Sequence, residues 1–414
     1  MARVGHRSFV SSLAVLALLG AALLASVPPA SAAACSVQNV RTGAITDTLQ
    51  VAVDASEKGD TLLIQGTCIG RTAIRDKALH LKGVPTTAQP TPTLDGDGAT
   101  SVLAIDSSRV VVLRNLTVTH GRGRYGGGIR VVGGGALSLK GHTSVFGNTS
   151  GGSGGGIYIK KGSSAHSGTL TLNDSSSVTG NAAAFGGGIS SSHADTTLNG
   201  SSSVSGNTAT FGGGGIDNGS GIVTLNGSSS VSGNTAGGRG GGIYNLGTLT
   251  LNGTSSVSEN AATYGEGDGG GIFTYYGTLT LNGSSSVSEN AATYRGGAIF
   301  SYGSTLTLND SSAVTGNTAL TGVGGGIYTF GALTLNGSSS VSGNTAEHGG
   351  GIYMGYNPRG ALTLNGSSSV TGNTATKGFG GGIRNVGGSV YVCSDLVAIG
   401  PNDPDDPPET LPCP

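Results

Sequence analysis

The sequence predicts an all-β fold, a right-handed parallel β-helix of about thirteen coils with a short N-terminal capping helix. Three observations predict it. First, Gly-Gly-(Gly/Ala)-Ile recurs, with isoleucines at 129, 157, 189, 216, 243, 272, 299, 327, 352 and 383, a mean step of about 28 residues. Second, each unit holds short alternating runs of the Leu-Thr-Leu and Ser-Val-Ser kind, separated by Gly, Asn and Ser turns. Third, 79 of 414 residues are glycine and only 10% are charged, with the glycines clustered at the turns. Three strands in so few residues fit one coil better than a four-stranded propeller blade. One unit offers roughly four apolar side chains, too few to fold alone, so stacking must supply the core. At about 4.8 Å per coil, the solenoid should be roughly 60 Å long.

Composition removes several alternatives. A net charge of −1 and a pI near 6.6 lack the basic excess of a nucleic-acid binder. Clustered glycines are not the every-third-residue pattern of collagen. Low net charge argues against an acidic disordered chain.

Along the chain, residues 1–34 read as a signal peptide. Arg3, His6 and Arg7 form a basic start, residues 9–24 are mostly Ala, Leu and Val, and residues 30–34 are small. A lipoprotein signal ending at Cys35 fits less well, because Ala32 is not a bulky aliphatic. No later segment is apolar enough to span a bilayer, so the mature chain is expected outside the cell or on its surface, as a monomer. In that setting Cys35, Cys68, Cys393 and Cys413 suggest disulfides, and four cysteines allow three pairings. Local pairing, Cys35 with Cys68 and Cys393 with Cys413, would close a loop at each end. No histidine or second cysteine lies at metal-ligand spacing, so neither a metal nor another cofactor is expected.

Residues 35–125 form the N-terminal cap and the first irregular coils. Asp47 with Gln50 approximates a helix capping pair, and Leu49, Ala52 and Val53 give one apolar helical face. Strand-like runs follow at 61–65, 78–82, 102–105 and 110–118. Residues 126–387 are the repeat. Residues 388–414, rich in Pro and Asp, read as a cap or tail that blocks pairing at the last coil. Two rows of asparagine run through the repeat. One follows the valine, from Asn148 to Asn373; the other follows the second leucine, from Asn173 to Asn365. Asn tolerates turn conformations, and its amide can bond the same amide one coil away. Many of these sites also match the Asn-x-Ser glycosylation acceptor, but a turn ladder is the better reading.

Gly296-Gly297-Ala298-Ile299 and the Val-x-x-Asn stretches from Val145 to Asn373 resemble the GGA(I/L/V) and FxxN repeats of polymorphic outer membrane proteins. More broadly, the chain is similar to the pectin-lyase-like β-helix class. The resemblance covers residues 126–387 and implies a fold more strongly than a function. Val replaces Phe in the FxxN sites, and the C-terminal membrane barrel of that family has no counterpart, so anchoring by that route is not expected.

The resemblance makes a polysaccharide lyase or glycoside hydrolase the enzymatic alternative, but the residues supply no clear catalytic set. Acidic residues in the repeat are scattered. Glu259 and Glu289, equivalent on adjacent coils, read better as turn residues than as a carboxylate pair. Asp95-Gly96-Asp97-Gly98 reads as a plain turn, since the rest of a calcium loop is absent. The non-catalytic reading rests on aromatics. Positions one and three after the core isoleucine should point outward. They carry Tyr244, then Phe273 with Tyr275, Phe300 with Tyr302, Tyr328 with Phe330, and Tyr353. An exposed double column of this kind would suit a polysaccharide or a surface protein, and adhesion is the expected role. A second outward column, the threonines from Thr171 to Thr363, hints at ice binding, but its partner column is broken by Asp195, Ile222, Ala332 and Ala361.

Overall fold

The computed structural model describes residues 33–413, apart from 88–89, 163–167, 266 and 404–408. The leader read at residues 1–34 lies almost wholly outside the described residues. The rest is an all-β parallel β-helix of about 12 turns, close to the thirteen expected. The shortfall is at the start, where Ser36–Asn39 pairs antiparallel with both Ile45–Thr46 and Thr61–Gln65 instead of forming a coil.

A representative coil runs Ile243–Asn245, Thr248–Leu251, Ser256–Ser258 and Ala261–Ala262. The fourth strand is a correction to the three expected. In this coil it is a two-residue piece after the asparagine, too short to show a period, and elsewhere it runs up to six residues; its second residue (Ala209, Ala236, Ala262, Ala292) is buried. Four parallel sheets result, named here by their inward residue: isoleucine, leucine, valine and alanine.

Register between coils is strict. Ile243 pairs with Ile216 and Ile272, Leu249 with Val223 and Leu279, and Val257 with Val231 and Val287. The motif isoleucines therefore form one inward column, and all are buried. A parallel sheet one strand per coil satisfies the backbone through its neighbours, while the alternation of the strand sends every second side chain into a continuous core. The glycine signature follows from the corner before the isoleucine. Gly240 and Gly269 take φ of +63° and +65°, the left-handed region. A Cβ on Gly241 would collide with the carbonyls of Gly270 and Ala261. The third position alone admits Ala298.

Both asparagine rows are hydrogen-bonded ladders. Asn234 donates its Nδ2 to Asn260 Oδ1 at 2.9 Å and to the Val204 carbonyl at 3.0 Å, and its backbone N–H also reaches Asn260 Oδ1. This buried ladder runs from Asn148 to Asn402. In the second row the direction reverses: Asn252 Nδ2 donates back to Asn226 Oδ1 at 2.9 Å, and Asn365 to Asn336 at 2.7 Å. The acceptor-motif asparagines of this row thus commit their amide nitrogens to the turn.

The ends match expectation in outline. Cys35 pairs with Cys68 and Cys393 with Cys413. Helix α1, Leu49–Ala55, buries Leu49, Ala52 and Val53. Its capping differs: Thr48 is the N-cap and makes no side-chain cap bond. Gln50 instead clamps the backbone of Ala73, accepting from its N–H at 2.7 Å and donating to its carbonyl at 3.3 Å, so it ties the helix to the first coil. The run at 110–118 splits into Val110–Arg114 and Thr117–Thr119, because Asn115 turns at φ 52°. At the far end Leu411–Pro412 adds to the leucine sheet beside Ser389–Val392.

Candidate functional site

Strict register converts repeat positions into columns. On the outer face of the isoleucine sheet, the residue after each isoleucine stacks on its equivalent one coil away: Tyr244, Phe273, Phe300, Tyr328, Tyr353. Their rings lie nearly parallel, with centroids 5.0, 4.9, 5.2 and 5.3 Å apart. The assignment outside the lumen holds, since these rings form a cluster separate from the main core.

Their expected exposure does not hold. Phe273, Phe300 and Tyr328 are only 2, 4 and 6% exposed, and Tyr244 and Tyr353 are half-buried. Strand alternation tells which side of a sheet a residue takes, not what else lies on that side. Here the chain between the alanine and isoleucine sheets rises as a rim. Arg239, Asp268, Arg295, Val323 and His348 line up coil by coil along it. The Arg239 guanidinium lies 5.1 Å over Phe273, and that of Arg295 5.0 Å over Phe300 and 5.7 Å over Tyr328. Asp268, fully buried, accepts two hydrogen bonds from Arg295, Nε and Nη2 each at 2.9 Å, with Arg239 Nε at 3.9 Å. One carboxylate thus lies between two guanidinium groups that stand over the rings, a cation–π arrangement.

The opposite rim is the second aromatic column. Tyr275 and Tyr302, 42 and 38% exposed, stack at 5.2 Å. Phe330, half-buried, meets Tyr302 and Tyr328 edge-on at 5.3 and 5.0 Å. The eight aromatics therefore form not a flat exposed strip but a groove. Tyr244, Phe273, Phe300, Tyr328 and Tyr353 are its floor, Tyr275, Tyr302 and Phe330 one wall, and Arg239, Asp268 and Arg295 the other. Burial pushes the Tyr328 phenol up to about 12, against the opposing pull of Arg295, so it stays protonated.

Sequence reasoning named Tyr275, Tyr302 and Phe330 but missed Tyr276 and the opposite wall of Arg239, Asp268 and Arg295. Tyr276, 66% exposed, stands edge-on to Tyr275 and Tyr302 at 4.6 and 5.6 Å. Arg239, Asp268 and Arg295 each lie four residues before a motif isoleucine, so the repeat phase could have aligned them, but their residue type changes from coil to coil and carries no repeating signal.

Asp217 occupies the floor column one coil before Tyr244 and takes a hydrogen bond from Ser190 Oγ at 3.0 Å. Burial pushes its carboxyl up to about 6. The sign follows. Below pH about 4 the group is protonated folded and unfolded alike and contributes nothing. Between about 4 and 6 the unfolded chain ionises while the native one keeps its proton, so stability falls as pH rises. Asp217→Asn should therefore melt higher than the parent at pH 7.5, by about 1–2 kcal/mol, and the gain should vanish in melts below pH about 4.

Other candidate chemistry stays apart. Glu259 and Glu289 take φ of 57° and 56° at the valine-to-alanine corner, the left-handed positions that Gly206 and Gly233 fill elsewhere. Asp95-Gly96-Asp97-Gly98 is a turn in which Asp95 accepts from the Asp97 N–H and meets His120 Nδ1, both at 2.9 Å. Among the described residues no group of three or more His, Cys, Asp or Glu side chains is placed to hold a metal ion, and no helix is long and apolar enough to cross a membrane.

Residues 228–246, one serine–valine–asparagine turn with its Gly-Gly-Gly-Ile corner, match the Chlamydia polymorphic membrane protein repeat. No curated protein and no solved structure matches the chain. The chain is a parallel β-helix repeat protein resembling polymorphic membrane protein repeats.

Proposed function

We propose that this β-helix is a non-catalytic binding protein displayed on the cell surface or secreted, and that it docks a glycan or an extended protein segment along the aromatic groove. The observation that supports this is the wall formed by Tyr275 and Tyr302. Two stacked phenol rings stand in solvent above a floor that is already packed, so their exposed faces are not required by the core. Rigid rings on a sheet suit sugar faces, and they lose little conformational freedom on binding. The membrane-protein repeat at residues 228–246 supports a surface setting, and the two disulfides support an oxidising one.

The test separates binding from folding. Tyr275→Ser with Tyr302→Ser should abolish capture on cell-wall or host glycans, or on surface protein. Stability should fall by only about 1–2 kcal/mol, for the lost ring pairs. Tyr328 is left intact, because its ring belongs to the floor. A double variant that binds like the parent would reduce the wall to a stacking ladder.

The enzymatic alternative rests on Asp217, an acid with a raised pKa on the same face. New reducing ends released from a polysaccharide by the parent but not by Asp217→Asn would favour a hydrolase.

A further inference from the structure

We infer that a second station on this face binds the acidic group of a sugar bearing a carboxylate or sulfate. The proposal rests on the glycan reading above and names its ligand class.

Three coils before Tyr244 the same floor column carries Tyr158, and before it Arg130. Tyr158 and Tyr125 pack with ring centroids 5.1 Å apart. Arg130, Lys160 and Lys161 line the pocket beside them. Arg130 is half-buried, while Lys160 and Lys161 are exposed. Among the described residues none of the three makes an ion pair with a carboxylate. Asp217 stands two coils from Tyr158; Asp106 is two coils from Lys160 and one from Arg130, with its carboxylate beside Gly133 at the margin of the pocket.

Three cations beside a pair of rings, none of them ion-paired among the described residues and with the carboxylate of Asp106 at the margin, complement an anion attached to a flat apolar body. A charged sugar has both parts. Its ring face stacks on tyrosine, and its carboxylate or sulfate accepts charge-assisted bonds from the guanidinium and ammonium groups. Tyr158 and Tyr244 lie three coil steps apart, roughly 14 Å at about 4.8 Å each. One polysaccharide along the solenoid axis therefore reaches both stations.

The test uses the full chain and one polymer backbone in three forms: dextran, carboxymethyl-dextran and dextran sulfate. The parent should bind at least one charged form more tightly than dextran. Lys160→Gln with Lys161→Gln should weaken that binding by roughly tenfold, the loss of a charge-assisted bond or more, and leave any dextran binding unchanged. Lys82→Gln with Lys140→Gln is the control, because those residues line a basic pocket on the leucine sheet that has no tyrosine or phenylalanine. An equal loss in the control would mean generic polyanion attraction and would overturn the proposal. So would a parent indifferent to charge. If that indifferent parent still loses dextran through Tyr275→Ser and Tyr302→Ser, the groove reading survives and only the charged station falls. If the lysine pair matters while the tyrosine pair does not, the reverse holds.

Discussion

Ile272→Asp should destabilise the solenoid by about 4 kcal/mol or more, the cost of an unpaired charge or a forced neutral acid in a dry core. Ile272 is fully buried and is flanked in register by Ile243 and Ile299, so the new carboxylate would enter an apolar column. Thr280→Asp places the same chemistry on the outer face of the leucine sheet, beside Thr250 and Thr307, and should change stability by no more than about 0.5 kcal/mol. Chemical denaturation of both variants beside the parent checks the pair. Equal costs would mean that inward and outward are assigned wrongly. Because each coil contacts only its neighbours, the damage from Ile272→Asp should centre on the adjacent coils, visible as early amide exchange there while the ends stay protected.

The second large effect is expected at the inner asparagine ladder. Asn260 is buried, accepts from Asn234, and donates its Nδ2 to the Val231 carbonyl and to Asn290 Oδ1, each at 3.0 Å. Asn260→Asp keeps the acceptor but removes both donated bonds; Asn290 Oδ1 is left with the Asn260 backbone N–H at 2.9 Å, and a buried charge now faces it and the Val231 carbonyl. Two lost bonds and a buried charge set against two oxygens should together cost about 3–5 kcal/mol. Asn365→Asp at the half-buried end of the outer ladder loses one donated bond to a side chain, Asn336 Oδ1, and should cost about 1 kcal/mol. Melting both proteins at neutral pH tests the contrast. If Asn260→Asp melts with the parent, the ladder is decoration rather than support.

The sequence alone determined the architecture, because a repeat states its own register. A recurring isoleucine, leucine and valine at fixed phase has one economical burial, a stacked column for each, and the residues found in those columns are the ones the spacing picks out. The asparagine ladders and the two local disulfides were legible for the same reason: identical groups one coil apart, and cysteines near each end. Local capping was read less well. Asp47 and Gln50 have capping spacing, but Gln50 gains two backbone bonds to Ala73, a partner 23 residues away that no local pattern reveals.

What only the tertiary structure decided is the shape of the face. Alternation put Phe273, Phe300 and Tyr328 outside the lumen, and that much was right. Whether an outward ring meets solvent depends on what the connecting turns do, and those turns differ in length from coil to coil. Arg239, Asp268 and Arg295 hold one phase of the repeat and Tyr275 and Tyr302 another, but that the first row folds over the rings and closes a groove against the second is seen only in the stack. Core positions are set by a period and are therefore written in one dimension. The groove is set by side chains from separate coils brought within 5 Å of one another, and that proximity exists only in the stack.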